Sequence, residues 1–461
     1  MIKKLNFIRI LYFSIFTTSL LISYVGGLVF YDSTSGLDFG KYFLNVRYFM
    51  GDQVQIGDGN GSLYFYFISK AVARGISGIE QQNINILINN SIQLINFLLF
   101  LTGLLGLFLV FNSKKIKSSD IFLSFSILCF LPTAFYFRLT MKPEVMAFAI
   151  LPWIIYFLDS YFKNKTLINK TISILLLSIL FTIKGSITGM SLLSLLYLYR
   201  KQIFSNKSTK GLSLLTFITS SIFIYINYLI TNFWVFSNNS SDASNPNRWE
   251  NTADIEFFTK IDFKNLLENP YQHIHSDSFF SITLLDTTAD YFRFFWQHEE
   301  KDNYISFDRI LFSENFLIQT YLPQYISIIF TVGFYLSIFF LIYKKVEHSD
   351  LLILPIFGIA ILILNSLGFP SRNFDPTTGD LFKVHYYSFL FTLSFCTLLV
   401  ILSSILNLKK YLLILFIPLF MTSMGFPKNV SEETKINLYN KINISEFCFI
   451  FEQSNNVECH K

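Results

Sequence analysis

Apolar residues in this chain come in long runs, unlike the scattered apolar positions of a soluble core. The stretch Ile92 to Phe111 is almost continuously apolar. Runs of roughly 18 to 25 residues recur, each enough to carry a helix across about 30 Å of hydrocarbon. A spanning β-barrel would instead show segments of about ten residues in strict alternation, so helices are the spanning form. The expected spans are Phe7 to Phe30, Ile86 to Phe111, Asp120 to Phe137, Glu144 to Phe162, Thr171 to Ile183, Ser186 to Tyr199, Gly211 to Phe236, Gln324 to Tyr343, Leu351 to Leu367, His385 to Leu406 and Tyr411 to Phe426. The fold class is therefore an all-α polytopic membrane protein of about eleven transmembrane helices. The fifth and sixth spans are short and flank Lys184-Gly185, which points to a bent pair that does not cross in two straight pieces.

Charge gives this series a direction. Lys3, Lys4 and Arg9, the lysines at 114, 115 and 117, those at 163, 165 and 170, Arg200 with Lys201, Lys207 and Lys210, Lys344 with Lys345, and Lys409 with Lys410 fall in alternate loops. Short loops rich in Lys and Arg stay cytoplasmic, so the N-terminus is expected inside and the C-terminal tail outside. The first run begins like a secretory signal but is too long and lacks a small-x-small cleavage pattern, so it reads as a retained span. The transmembrane domain covers 1–426 and an outer tail 427–461, with outer loops at 31–85 and 237–323. Aromatics and Leu at mixed helical spacing between Ile255 and Phe316 suggest interfacial helices in the larger outer loop.

Composition sharpens the picture only a little. Of 461 residues, 52% are hydrophobic and 15% charged, with a formal net charge of +5. No long basic patch exists, and no nucleic-acid partner is expected. Cys129 and Cys396 lie inside apolar spans as small buried hydrophobes, while Cys448 and Cys459 stand close enough in the outer tail to pair. No Gly-rich phosphate loop followed by Lys-Ser or Lys-Thr is present.

The candidate chemistry gathers in the outer loops. Asp38 follows the first span, ahead of an amphipathic stretch, where a carboxylate suits a general base; the plainer reading is a solvated loop acid. Asp32 and Asp58 share that loop. Arg138, Lys142, Pro143 and Glu144 are squeezed between the third and fourth spans, with Pro143 fitting a helix start and Glu144 near its positive end. Lys184 interrupts apolar sequence where an unpaired ammonium is costly, so it should face a cavity or an anionic group. Asp286, Asp290 and Arg293 are spaced to share one helical face beside Trp296. His273 and His275 lack a third ligand for a metal. Arg372, Lys383 and His385, before the tenth span, suit either a phosphate head group or an interface anchor.

The first span ending in a loop with Asp38, the two amphipathic stretches after it, Lys142-Pro143-Glu144 opening the fourth span, and the Lys383 to Tyr387 segment together resemble the GT-C superfamily of polytopic membrane glycosyltransferases. The dolichyl-phosphate-mannose protein mannosyltransferases and the aminoarabinose transferases of lipid A belong to it. The resemblance implies an outer-face active site and transfer of a sugar from a polyprenyl-phosphate donor to a glycan, lipid or protein acceptor, with inversion. It places Asp38 as the catalytic base and assigns Lys184, Arg372, Lys383 or Arg138 to the donor phosphate. Lys142, Glu144, Asp286, Asp290, Arg293 and His385 are candidate substrate-site residues. Many members carry adjacent acids in the first loop, whereas Phe39 follows Asp38 here, so a divalent metal stays an open cofactor. A repeat-unit polymerase of polysaccharides shares a similar first loop, and a lipid or sugar transporter is the non-enzymatic alternative. The expected location is a bacterial inner membrane.

Overall fold

The computed structural model describes residues 2–30, 39–52, 61–76, 84–205, 207–232, 234–235, 252–268, 277–287, 296–298, 304–306, 317–367 and 384–406, with several more between 408 and 419. These residues are mostly helical, with turns between the helices and one short hairpin. The helices of the first half are α1 (Ile2–Phe30), α2 (Phe39–Met50), α3 (Leu63–Ile76), α4 (Ile84–Ser113), α5 (Ser118–Leu128), α6 (Pro132–Leu139), α7 (Glu144–Asn164), α8 (Leu167–Phe181) and α9 (Gly185–Leu198). There follow α10 (Arg200–Ser205), α11 (Lys207–Thr231), the short α12 (Ile255–Thr259), α13 (Phe263–Glu268) and α14 (Phe279–Asp286), then α15 (Leu317–Tyr343), α16 (Leu354–Ser366) and α17 (Ser388–Ser404). The hairpin pairs β1 (Trp296–His298) with β2 (Tyr304–Ser306) antiparallel.

Among the described residues, five helical stretches are long and apolar enough to cross a membrane: Ile8–Leu28, Leu87–Ser113, Glu144–Asn164, Leu212–Thr231 and Ser349–Ser366. α5 and α6 make a sixth if their bent pair counts as one span. The expected count of about eleven is thus not reached by these alone. Leu167–Phe181, Gly185–Leu198, Ile328–Tyr343 and Ser388–Ser404 are apolar but shorter, and most of the expected Tyr411 to Phe426 span lies outside the described residues. Leu214, Phe217, Ile218, Ile222, Tyr225 and Leu229 form an exposed stripe on α11. Such a surface is tolerable in lipid and costly in water, consistent with an integral membrane protein.

Two features depart from the expected spans. The third run is not one straight helix: α5 and α6 meet at 79°. Pro132, which lacks an amide proton, starts the second piece and breaks the ladder there. Between α11 and α15, the expected helical face through Asp286, Asp290 and Arg293 stops at Asp286, where α14 ends, and Trp296 lies on a strand. Residues 288–295, with Asp290 and Arg293, lie outside the described residues.

Glycine sets how closely α4 approaches α7. A Cβ added at Gly103 would stand 2.5 Å from the Phe148 ring and 2.7 Å from its carbonyl oxygen. The closeness lets Phe100 stack on Phe148 at 5.4 Å between ring centroids. Helix α17 is buried along nearly its whole length and forms the inner wall against which α5, α7 and α16 pack. One end of the bundle is tied by Asp120, which is buried and paired with Lys409.

Candidate functional site

Three breaks in helical structure meet at one end of the bundle. The first is the corner between α6 and α7, where Pro143 stands at the N-cap position immediately before Glu144, the first residue of α7. The second is the break between α8 and α9, where Lys184 adopts extended backbone. The third is the 3-10 turn Val384–Tyr387 ahead of α17.

Helix lengths explain why the second break lies deep. From the tight turn at Lys165 and Thr166, α7 has 21 residues and α8 has 15. At 1.5 Å per residue they rise about 31 Å and about 22 Å. Thr182, Ile183 and the long Lys184 side chain close the difference. The ammonium Nζ of Lys184 lies 3.9 Å from Glu144 Oε1 and 3.6 Å from the centroid of the Tyr386 ring. The Glu144 side chain is fully buried, whereas that of Lys184 keeps 24% of its surface exposed. This is a charge pair sunk in the bundle, with its cation alone reaching outward.

Helix α3 closes the site from another side. The Leu63 amide, at the start of α3, donates to the Thr182 carbonyl at 2.9 Å. The buried Tyr64 hydroxyl donates to Asn96 Oδ1 at 2.9 Å, and the Asn96 amide donates to the Thr140 carbonyl at 2.7 Å. Burial, joined by the nearby Glu144 charge, pushes the Tyr64 phenol well above its ordinary pKa. It is a fixed neutral donor. Tyr64 and Asn96 thus hold α3, α4 and the Thr140 to Glu144 corner in register.

The expected residues divide as follows. Glu144 and Lys184 come together; Lys142 is 3% exposed, and its backbone lies close to the Tyr64 hydroxyl. Arg138 is buried at the end of α6, its guanidinium between Phe100 and Phe135, each 5.1 Å away. One nitrogen of Arg138 donates to the Cys129 carbonyl at 3.1 Å, and its Nε and Nη1 find no hydrogen-bond partner among the described residues. Asp32, Asp38, Asp58, Asp290, Arg293, Arg372, Lys383, the histidines at 273 and 275, Cys448 and Cys459 lie outside the described residues. Asp286 ends α14 and His385 lies in the turn before α17, and neither side chain is among those described. Among the described residues, no three His, Cys, Asp or Glu side chains are grouped to hold a metal ion.

With this geometry established, comparison with known proteins adds no relative. The chain matches no protein-family model and no curated protein. The site therefore rests on its own chemistry. That chemistry is a buried carboxylate, a part-exposed ammonium held over an aromatic face, and the start of α3 packed against the break. It can anchor an anion, since a fixed cation in a low-dielectric setting needs little reorganisation.

Tyr386, Tyr64 and Asn96 carried no assigned role in the sequence reading. Asn96 had a usable signal, since an amide inside an otherwise apolar run needs a partner at membrane depth. Tyr386 had none, because one tyrosine in an aromatic belt looks like any other.

Proposed function

We propose that this chain is a membrane glycosyltransferase that moves a sugar from a polyprenyl-phosphate donor to an acceptor on the outer face. The observation that carries the reading is the meeting of Lys184 with Glu144 and Tyr386 directly beneath α3 of the first outer loop. It supplies what a lipid-phosphate leaving group requires: a part-exposed cation held in place by a buried carboxylate.

In this reading the acceptor hydroxyl loses its proton to the Asp38 carboxylate, and its oxygen attacks the anomeric carbon. The bond from that carbon to the phosphate oxygen breaks with inversion, and the electron pair leaves with the lipid phosphate. Lys184 faces the developing charge, with Arg372, Lys383 and Arg138 as further cations. Glu144 and the Tyr386 ring hold the Lys184 ammonium in place, so each is a positioning residue. The donor supplies the energy.

Release of polyprenyl phosphate tests the reaction whatever the sugar. Purified chain in liposomes would be given hexosyl, pentosyl and aminosugar polyprenyl phosphates with a membrane-extract acceptor. Release by wild type, with loss in both Lys184→Ala and Asp38→Asn, is the expected result. No release from any donor class by a well-folded preparation would remove the assignment.

A further inference from the structure

A polar cavity lies at the far end of the bundle from Glu144 and Lys184. Its volume is about 150 Å³, and its lining includes Lys114, Asp159, Tyr199, His348 and Asp350. Asp159 lies 15 residues beyond Glu144 on the same helix α7, which separates the two places by about 22 Å. The cavity is thus at the end that the lysine pattern assigns to the cytoplasm, where lipid head groups meet water.

Four elements meet there, and both signs of charge are fixed. Lys114 stands in the turn after α4, and Asp159 faces it from α7. Asp159 accepts a hydrogen bond from the Tyr199 hydroxyl at 2.9 Å, and the same hydroxyl donates to the Ile155 carbonyl at 3.0 Å. Asp350 accepts from the Tyr197 hydroxyl at 3.3 Å and lies 3.6 Å from Arg200, with 63% of its side chain open to solvent. His348 sits in the turn after α15 with left-handed backbone and is half-buried. Among the described residues no carboxylate lies within ion-pair distance of Lys114. Half-buried Lys114 lines the cavity together with the carboxylates Asp159 and Asp350. Burial, joined by Lys114, lowers the His348 pKa and so favours the neutral imidazole, which can both donate and accept.

We infer that this cavity binds a phosphoethanolamine group, its phosphate on Lys114 and His348 and its primary ammonium between Asp159 and Asp350. An isolated anion would meet two carboxylates, and an isolated cation would meet Lys114; a small zwitterion satisfies both ends. A primary ammonium offers three donors to the carboxylates, whereas a trimethylammonium offers none and is bulkier. The group arrives either as the head of phosphatidylethanolamine in the adjacent leaflet or as a free solute.

The test uses the full chain in nanodiscs of phosphatidylcholine doped with phosphatidylethanolamine or phosphatidylglycerol, and in detergent with free phosphoethanolamine. Binding would be read by native mass spectrometry and by the thermal unfolding midpoint. Phosphatidylethanolamine should be retained and should raise the midpoint, while the other two lipids should not. Lys114→Gln and Asp159→Asn should each weaken retention roughly ten- to hundredfold, as loss of a charge-assisted hydrogen bond does. Should either variant fold poorly, the solvent-facing Asp350→Asn serves in its place with the same expectation. Binding of the free compound as well as the lipid would identify head-group recognition alone. Lipid binding without it would assign the site to the leaflet, and free binding without lipid to a solute. Equal retention of all three lipids, retention unchanged in the variants, or no binding of either form would overturn the inference.

Discussion

Glu144 and Lys184 show how a single pair sets terms for its surroundings. A fully buried carboxylate is tolerable because an ammonium lies 3.9 Å away, and removing either partner leaves the other charge poorly compensated in low dielectric. Glu144→Leu and Lys184→Met should each destabilise the chain by about 3 kcal/mol. The double change Glu144→Leu with Lys184→Met should recover most of that loss while abolishing transfer. A thermal double-mutant cycle checks the coupling, and equal additive losses would show that the two groups act independently. At this scale the sequence was informative where chemistry was out of place. Lys184 was legible because an ammonium interrupting apolar sequence demands an anion or a cavity, and the anion is Glu144. Tyr64 was not legible, because its role depends on Asn96 across the bundle and nothing local encodes that meeting.

At the scale of elements, the close approach of α16 to the turn before α17 controls the site at second hand. A Cβ added at Gly358 would fall 2.3 Å from the Tyr387 Cβ. Tyr387 is wholly buried, and its hydroxyl lies 3.2 Å from those of both Thr287 and Tyr335. Gly358→Ala should therefore push the turn, and Tyr386 with it, away from Lys184. The expected cost is about 1 to 3 kcal/mol from overpacking, with a loss of donor use exceeding any fall in abundance. Gly333 on α15 has nothing within 4 Å of an added Cβ, so Gly333→Ala is the control and should be neutral or stabilising by up to about 1 kcal/mol. Unfolding midpoints and donor titrations on the two variants separate these outcomes. Apolar runs located the helices well because burial in lipid is a property of composition. The 79° bend between α5 and α6 escaped the sequence reading, since both pieces are apolar and only Pro132 marks the corner.

Over the whole molecule, the alternation of lysine-rich loops predicts opposite sides for Lys260 and Lys345. Both are exposed. Single cysteines introduced as Lys260→Cys and Lys345→Cys should react with a membrane-impermeant maleimide from opposite faces of a sealed vesicle; labelling from the same face would invert half the topology. Acid should act on the Lys345 side. Burial lowers the His348 pKa below the usual 6.5, so the unfolded chain takes up a proton there more readily than the folded one. Stability is then intact above about pH 6.5 and falls as the medium is acidified through that value and toward the lower folded pKa. His348→Gln should flatten the unfolding midpoint between about pH 7 and 5, and an unchanged slope would assign the acid sensitivity elsewhere.

Helices α8 and α9, with 15 and 14 residues, are each about 22 Å long or less, set against a hydrocarbon layer of about 30 Å. A leaflet beside such a hairpin must thin or dip to avoid leaving polar ends in oil. The dimple would form over Lys184, at the mouth of the site. A long isoprenoid carrier whose phosphate slid into that depression would need to climb less far out of the bilayer to meet a water-borne acceptor. Liposomes made from longer-chain lipids should fill the dimple and slow turnover, and shorter-chain lipids should restore it without any change to the protein.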